Sequence, residues 1–132
     1  MKDKTQYEFK PFESKSKKSN NYLRLTDDMM KSTAWQGLSC HAIALYVSIK
    51  IKYNFTNENN LSFTYEEGKK LMDKKTVTKT LDELIAHGFI HIVRQGYLKE
   101  CSIYGLSSEW QYYGTQAFKV IPRIKRKIIP KG

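Results

Sequence analysis

The stretch LMDKKTVTKTLDELIAHGFI, Leu71 to Ile90, decides the fold. Asp73 is placed to cap a helix, because its carboxylate can accept from the orphan amides of the first turn. Val77, Leu81, Leu84 and Ile85 then recur at spacings of four, three and one, the pattern of a buried stripe on an amphipathic helix. Lys74, Lys75, Thr78, Lys79 and Asp82 fall on the other face, so its first two turns turn cationic and hydroxyl groups outward. Gly88 reads as the C-terminal stop, and GFIHIV leaves it as a strand.

Upstream, LSFT reads as a short strand, and Thr64 with Glu67 three residues on matches a capping box for a helix over Tyr65–Met72. The two helices are separated only by Asp73 and its neighbours, a tight helix-turn-helix connection. Downstream, FIHIVRQ and CSIYGLS read as strands flanking Gly96–Glu100, a hairpin whose tip carries Tyr97 and Lys99. Further out, NYLRLT (Asn21–Thr26) alternates apolar and polar residues as a short strand does, and Thr26 or Asp27 caps a short helix through Lys31. LSCHAIALYVSIKIKY is the longest helix in the reading, with Ser39 as N-cap and Ala42, Leu45, Tyr46, Ile49 and Tyr53 on one face. Asn54–Asn60 is a loop by composition, and SEWQYYGTQAF brings Trp110, Tyr112, Tyr113 and Phe118 as a cover for one edge of the core.

At 132 residues, with 40% apolar content, the chain fits one domain plus tails. No run approaches the roughly 20 apolar residues of a membrane span, and the N-terminus is too polar for a signal peptide, so a soluble, cytoplasmic protein is expected. Cys40 and Cys101 lie in apolar-patterned segments and read as reduced core thiols. The net charge of +10 is unevenly spread. Residues 1–19 hold six Lys against three acids, residues 119–132 hold six basic groups and no acid, and residues 20–118 hold eleven basic and ten acidic groups. Nine of the ten excess charges therefore sit on an N-terminal arm (1–19) and a C-terminal tail (119–132), which suits a polyanion.

Catalysis has little support: there is no Gly-rich phosphate loop and no clustered metal-ligand or nucleophile-base arrangement, so no cofactor, no metal and no enzymatic activity are expected. His87 and His91 are four apart but lie across a helix-to-strand change, and His41 is a surface position near a helix start. Trp35 and Trp110 sit among apolar residues and read as packing groups rather than stacking platforms.

Residues 21–118 resemble the winged helix-turn-helix proteins of plasmids, conjugative elements and phages of Gram-positive bacteria. The matching residues are YLRLTDDMMKSTAWQGLSCHAIALY, TVTKTLDELIAHGFI and, after the hairpin, YGLSSEW. The resemblance implies an α+β winged helix-turn-helix over 20–118, a three-helix core with a β-hairpin wing between basic tails. It makes the helix beginning near Lys74 the recognition helix, and the hairpin at Gly96 the wing. Contacts to double-stranded DNA are then expected from Lys69, Lys70, Lys74, Lys75, Thr76, Thr78 and Lys79 on the two helices. Further contacts are expected from Arg94, Gln95, Tyr97 and Lys99 on the wing, and from Lys15, Lys17, Lys18, Arg123, Lys125, Arg126 and Lys127 on the arms.

No Arg, Asn or Gln, the usual readers of guanine and adenine, occurs between Lys69 and Leu84. Lysine and threonine position a duplex better than they discriminate bases, so specificity is expected to be shared with the wing and arms. The role so implied is a sequence-specific, non-enzymatic accessory or initiator factor at a transfer or replication origin, working beside a relaxase, replication protein or other DNA-processing enzyme. A transcriptional repressor at an operator and a winged-helix protein-interaction module are the competing readings. A homodimer and a monomer on DNA are both compatible with the pattern.

Overall fold

The computed structural model describes residues 23–96 and 101–124. Among them the chain forms α1 (Asp27–Lys31), α2 (Thr33–Gln36), α3 (Cys40–Lys50), β1 (Leu61–Ser62), α4 (Tyr65–Gly68), α5 (Lys74–Ala86), β2 (Ile90–Arg94), β3 (Ile103–Leu106) and a 3-10 turn over Glu109–Tyr112. The three strands make one antiparallel sheet in the order β1-β3-β2. The class is α+β.

Each helix begins on a residue that satisfies its orphan amides. Thr26, Ser32, Ser39, Thr64 and Asp73 accept from Met29, Trp35, Ala42, Glu67 and Thr76 respectively, and Thr64 with Glu67 closes the expected capping box. The end of α5 is equally specified by its sequence. Gly88 has φ +84°, its N–H donates to the Ile85 carbonyl at 3.0 Å, and the Phe89 N–H donates to the Leu84 carbonyl at 3.0 Å. This is a Schellman cap, and it turns the chain so that Phe89 enters the core beside Leu84.

The core lies between α3 and α5, closed by the sheet and by α1 and α2. Ala42, Leu45, Tyr46 and Ile49 from α3 meet Val77, Leu81, Leu84 and Ile85 from α5, all buried. At its centre Phe89, with no exposed surface, takes edge contacts from Trp35 and Tyr46, each at 5.6 Å between ring centroids, and stacks on Trp110 at 6.1 Å. Burial pushes the Tyr46 phenol up to about 12, so it stays neutral, and its hydroxyl donates to Met29 Sδ at 3.8 Å. The aromatic segment after β3 does cover this edge: Trp110 and Tyr113 pack on the core, Tyr113 stacks on His87, and Tyr112 is exposed.

Several expectations are corrected. Leu23–Thr26 forms no strand; Leu25 packs on the core while the Arg24 carbonyl accepts from Lys50 Nζ at 2.7 Å, a side-chain bond where a strand would have a ladder. Among the described residues the longest helix is α5, because α3 stops at Lys50 and leaves Tyr53 beyond it, half-buried. The helix after Thr64 ends at Gly68, and Lys69–Met72 continue as turns; Gly68 is buried so closely on Val77 that a Cβ there would lie 2.6 Å from Val77 Cγ2. Thr80 joins the buried side of α5. Cys40 and Cys101 are free but exposed, so neither is a core thiol: Cys40 opens α3 on its solvent side.

A carboxylate fixes α5 against α3. Glu83 Oε2 accepts from the Ser39 N–H and Glu83 Oε1 from the Ser39 hydroxyl, both at 2.7 Å, so α5 supplies a second cap to the start of α3. Hydrogen bonds to a charged acceptor are worth about 1.5–3 kcal/mol each when shielded from water. With Ser39 exposed, Glu83→Ala is expected to lower unfolding stability by about 1–2 kcal/mol in a denaturant titration.

Candidate nucleic-acid interface

The exposed side of α5 presents Lys74, Lys75, Thr78, Lys79 and Asp82 on one open, shallow surface. It is held at its N-terminal end by α4 rather than by α5 alone. The Thr78 hydroxyl donates to the Tyr65 hydroxyl at 3.0 Å and lies 3.3 Å from the Lys74 carbonyl. Lys74 Nζ sits 5.0 Å from the centre of the Tyr65 ring, a cation–π contact that steers the ammonium towards the gap between the two helices. Tyr65, not singled out from the sequence, is therefore the residue that orders Lys74 and Thr78. Its signal was its place at the first position of α4, thirteen residues before Thr78.

The remaining helical candidates divide by their surroundings. Lys70, Lys75 and Lys79 are exposed. Lys69 is exposed too but lies 3.4 Å from Glu66, so part of its charge is answered one turn away. Thr76 is half-buried and its N–H is taken by the Asp73 cap at 2.9 Å. Lys52, absent from the sequence reading, bridges Glu67 and the Ser62 carbonyl and so ties α4 to β1.

Two carboxylates that hold these helices titrate low. Hydrogen bonds from the Thr76 side chain and backbone hold the Asp73 carboxyl below its ordinary range. Burial would raise Glu67, but the Lys52 ammonium and the Thr64 donors more than offset it, and its pKa is lowered. A depressed folded-state pKa stabilises above the unfolded value and loses that contribution as pH falls through the folded value. Unfolding midpoints at pH 7 and 5 are therefore expected to be similar, with a fall below about pH 4 that is smaller in an Asp73→Asn, Glu67→Gln variant.

On the hairpin, β2 pairs with β3 through Ile90↔Leu106, His91↔Gly105 and Ile92↔Tyr104, then slips so that Arg94 faces Ile103. The extra residue is Val93. Without this bulge Arg94 would share the core-facing side of Ile90 and Ile92; with it Arg94 is exposed. The Gly96 N–H donates to Ser102 Oγ at 2.9 Å and closes the hairpin base. Tyr97 and Lys99 lie outside the described residues, as do Lys15, Lys17, Lys18, Lys125, Arg126 and Lys127.

Gln95 and Arg123 both make hydrogen bonds within the chain. The Gln95 amide pairs with the backbone of Ile124, donating to its carbonyl at 2.7 Å and accepting its N–H at 2.9 Å. Arg123 donates from Nε and Nη2 to Asp82 Oδ1 at 3.0 and 2.7 Å, with Nη2 also 3.4 Å from the Thr78 carbonyl. Burial would depress the guanidinium, and the Asp82 carboxylate overrides it, so the pKa of the group is raised. Both side chains hold the segment 119–124 against α5 and β2.

His87 and His91 make packing contacts, and His41 is exposed. His87 Nδ1 lies 2.9 Å from the Glu83 carbonyl and its ring stacks on Tyr113, while His91 packs over Gly105. No group of three or more His, Cys, Asp or Glu among the described residues is arranged to hold a metal ion. No helix among them is long and apolar enough to cross a membrane. Comparison with protein-family models, with curated proteins and with solved structures finds no match for the chain.

Proposed function

We propose that the chain is a winged helix-turn-helix protein that binds double-stranded DNA, with α4 and α5 as the helix-turn-helix, α5 as the recognition helix and the β2–β3 hairpin as the wing. The observation that carries this reading is the exposed face of α5. Three lysines stand on its first two turns, the first of them, Lys74, held by Tyr65 of α4, and a hairpin leaves its C-terminal end with Arg94 exposed. A helix entering the major groove uses such a first turn for base edges and flanking cations for phosphates. Order of elements supports it as well: a three-stranded sheet in which β1 pairs with the far strand of the hairpin leaves α4 and α5 together between β1 and β2.

Lysine and threonine give the face more grip than discrimination, so sequence preference is assigned jointly to α5, to Arg94 and to the basic termini. The role is assembly without catalysis: an accessory or initiator factor at a mobile-element transfer or replication origin that fixes the register of a DNA-processing enzyme. Selection of bound sequences from random duplex DNA by the full-length chain tests this. Enrichment of a motif that recurs as an origin array supports it, a single motif at promoters redirects it to repression, and an unenriched pool contradicts sequence-specific binding.

A further inference from the structure

We infer that the groove between the outer edge of β2 and the segment 119–124 docks an extended aliphatic segment of a partner protein, adding it to β2 as a further strand; this stands independently of the DNA-binding reading above.

The sheet order β1-β3-β2 leaves β2 paired on one side only among the described residues. Which residues form its outer edge follows from the register. The Ser107 N–H donates to the Phe89 carbonyl, while the Leu106 N–H turns the other way and donates to the Glu58 carbonyl. Antiparallel pairs alternate between bonded and non-bonded, so Ile90, opposite Leu106, and Ile92, opposite Tyr104, direct their N–H and C=O groups away from β3. Among the described residues no hydrogen bond from outside the sheet reaches these groups. Ile90 is nonetheless only 1% exposed. A nearly buried donor and acceptor without a protein partner carry a cost that an occupant with a backbone of its own would remove.

Beyond that edge lies a cavity of about 470 Å³, within the range of sites that hold a ligand. Ile90, His91 and Ile92 all line it. Successive side chains point to opposite faces of a sheet, so three consecutive residues share one cavity only where it runs along the edge of their strand. Residues 119–122 and Ile124 form the far wall, and Ile85 of α5 lines it as well. The two walls make no backbone bond with each other among the described residues. Instead the Gln95 side-chain amide spans the gap, donating to the Ile124 carbonyl at 2.7 Å and accepting its N–H at 2.9 Å. At this end a side chain makes the two bonds that the peptide group of an intervening strand would make, so the gap has the width of an inserted chain. Two aliphatic residues of the far wall, Ile121 and Ile124, are 83% and 65% exposed. Exposed apolar surface beside a concave apolar wall marks a binding surface. An extended segment answers both features, its main chain bonding Ile90 and Ile92 and its alternate side chains packing on Ile85 and Ile121. A compact small molecule would fill the volume but leave the spaced backbone groups of the edge unpaired.

Random octapeptides displayed on phage are selected against the full-length chain, and an enriched peptide is then synthesised and its affinity measured by fluorescence anisotropy. The enriched sequences are expected to alternate aliphatic and polar residues. Ile121→Asp should weaken the peptide by about tenfold or more, while Val93→Asp, on the exposed bulge outside the cavity, should change it by less than about twofold. N-methylation of the peptide separates strand addition from docking by side chains alone. Methylating one alternate set of residues should abolish binding and methylating the other should change it by less than about twofold, because only one edge of the added strand faces β2. An unenriched library, an Ile121→Asp chain that binds as the native chain does, or equal effects of the two methylated sets overturns the inference. Enrichment seen only after Ile128 and Ile129 are both changed to Asp also overturns it, by giving the groove to the chain's own C-terminus. None of these results bears on duplex binding, which is tested separately.

Discussion

Gly88→Ala is expected to be the most damaging single substitution in the domain, lowering unfolding stability by about 3–5 kcal/mol. Two costs fall on the same atom. With φ at +84°, the residue that ends α5 lies in the left-handed region, where a Cβ is strained by about 1–2 kcal/mol. The added carbon would also lie 2.6 Å from the Trp110 nitrogen and 2.8 Å from the Glu109 carbonyl carbon, both backbone atoms that no side-chain rotation can clear. Relief would have to come from moving the 3-10 turn. That turn holds Trp110 on Phe89 and is itself tied to Gly88 by the Trp110 N–H bond to its carbonyl at 2.9 Å. Gly114 supplies the control, since it has the same φ of +84° with nothing within 4 Å of a built Cβ. Gly114→Ala should show the backbone cost alone, about 1–2 kcal/mol. Equal midpoints for the two variants in denaturant titrations would show that contact with the turn contributes nothing.

Reversing Lys75 and Lys79 together is expected to abolish detectable duplex binding, at least a hundredfold loss at low salt, with little change in thermal midpoint. Both side chains are exposed and stand four apart on the open face of α5, where the reversal converts a cationic surface into an anionic one. Asp82 would then have two like-charged neighbours on the same face. Because neither lysine contributes to the core, the Val77, Leu81, Leu84 and Ile85 stripe and the Asp73 cap should survive, and folding with them. Lys31→Glu on α1 makes the comparison, a reversal outside α4 and α5, and should cost only a few-fold. A Lys31 effect as large as the double reversal would mean that net charge, rather than the α5 face, drives association.

What was legible in the sequence was what is encoded locally. The Asp73 cap, the stripe on α5, the capping box at Thr64 and the stop at Gly88 each depend on residues within a few positions of one another, and each stands in the structure as the spacing implied. The misreadings arise where a distant partner decides. NYLRLT alternates as a strand does, yet Lys50 takes the Arg24 carbonyl and Leu25 is drawn to the core, so Leu23–Thr26 does not pair. Apolar neighbours suggested buried thiols at Cys40 and Cys101, but α3 turns Cys40 outward, and Cys101 is exposed just ahead of β3.

The candidate site follows the same rule. Lys74, Lys75, Thr78 and Lys79 could be placed together from helical periodicity alone. The groups that order them could not, because Tyr65 is thirteen residues from Thr78 and Arg123 is forty-one from Asp82. Charge counting saw Arg123 as one cation of a basic tail; the structure spends it on a carboxylate. Gln95 could be placed on the hairpin from the sequence, but the pairing of its amide with Ile124, twenty-nine residues on, could not.

The most direct measurement is the salt dependence of binding between the full-length chain and a duplex, followed by fluorescence anisotropy. Phosphate contacts from α5, the hairpin and the basic termini should make log K fall linearly with log salt, by about 0.9 for each phosphate neutralised, and the slope should flatten by close to two when Lys75 and Lys79 are both changed to Ala. Binding that is absent at low salt, or that is unchanged across the salt range, would contradict the assignment of the α5 face to DNA.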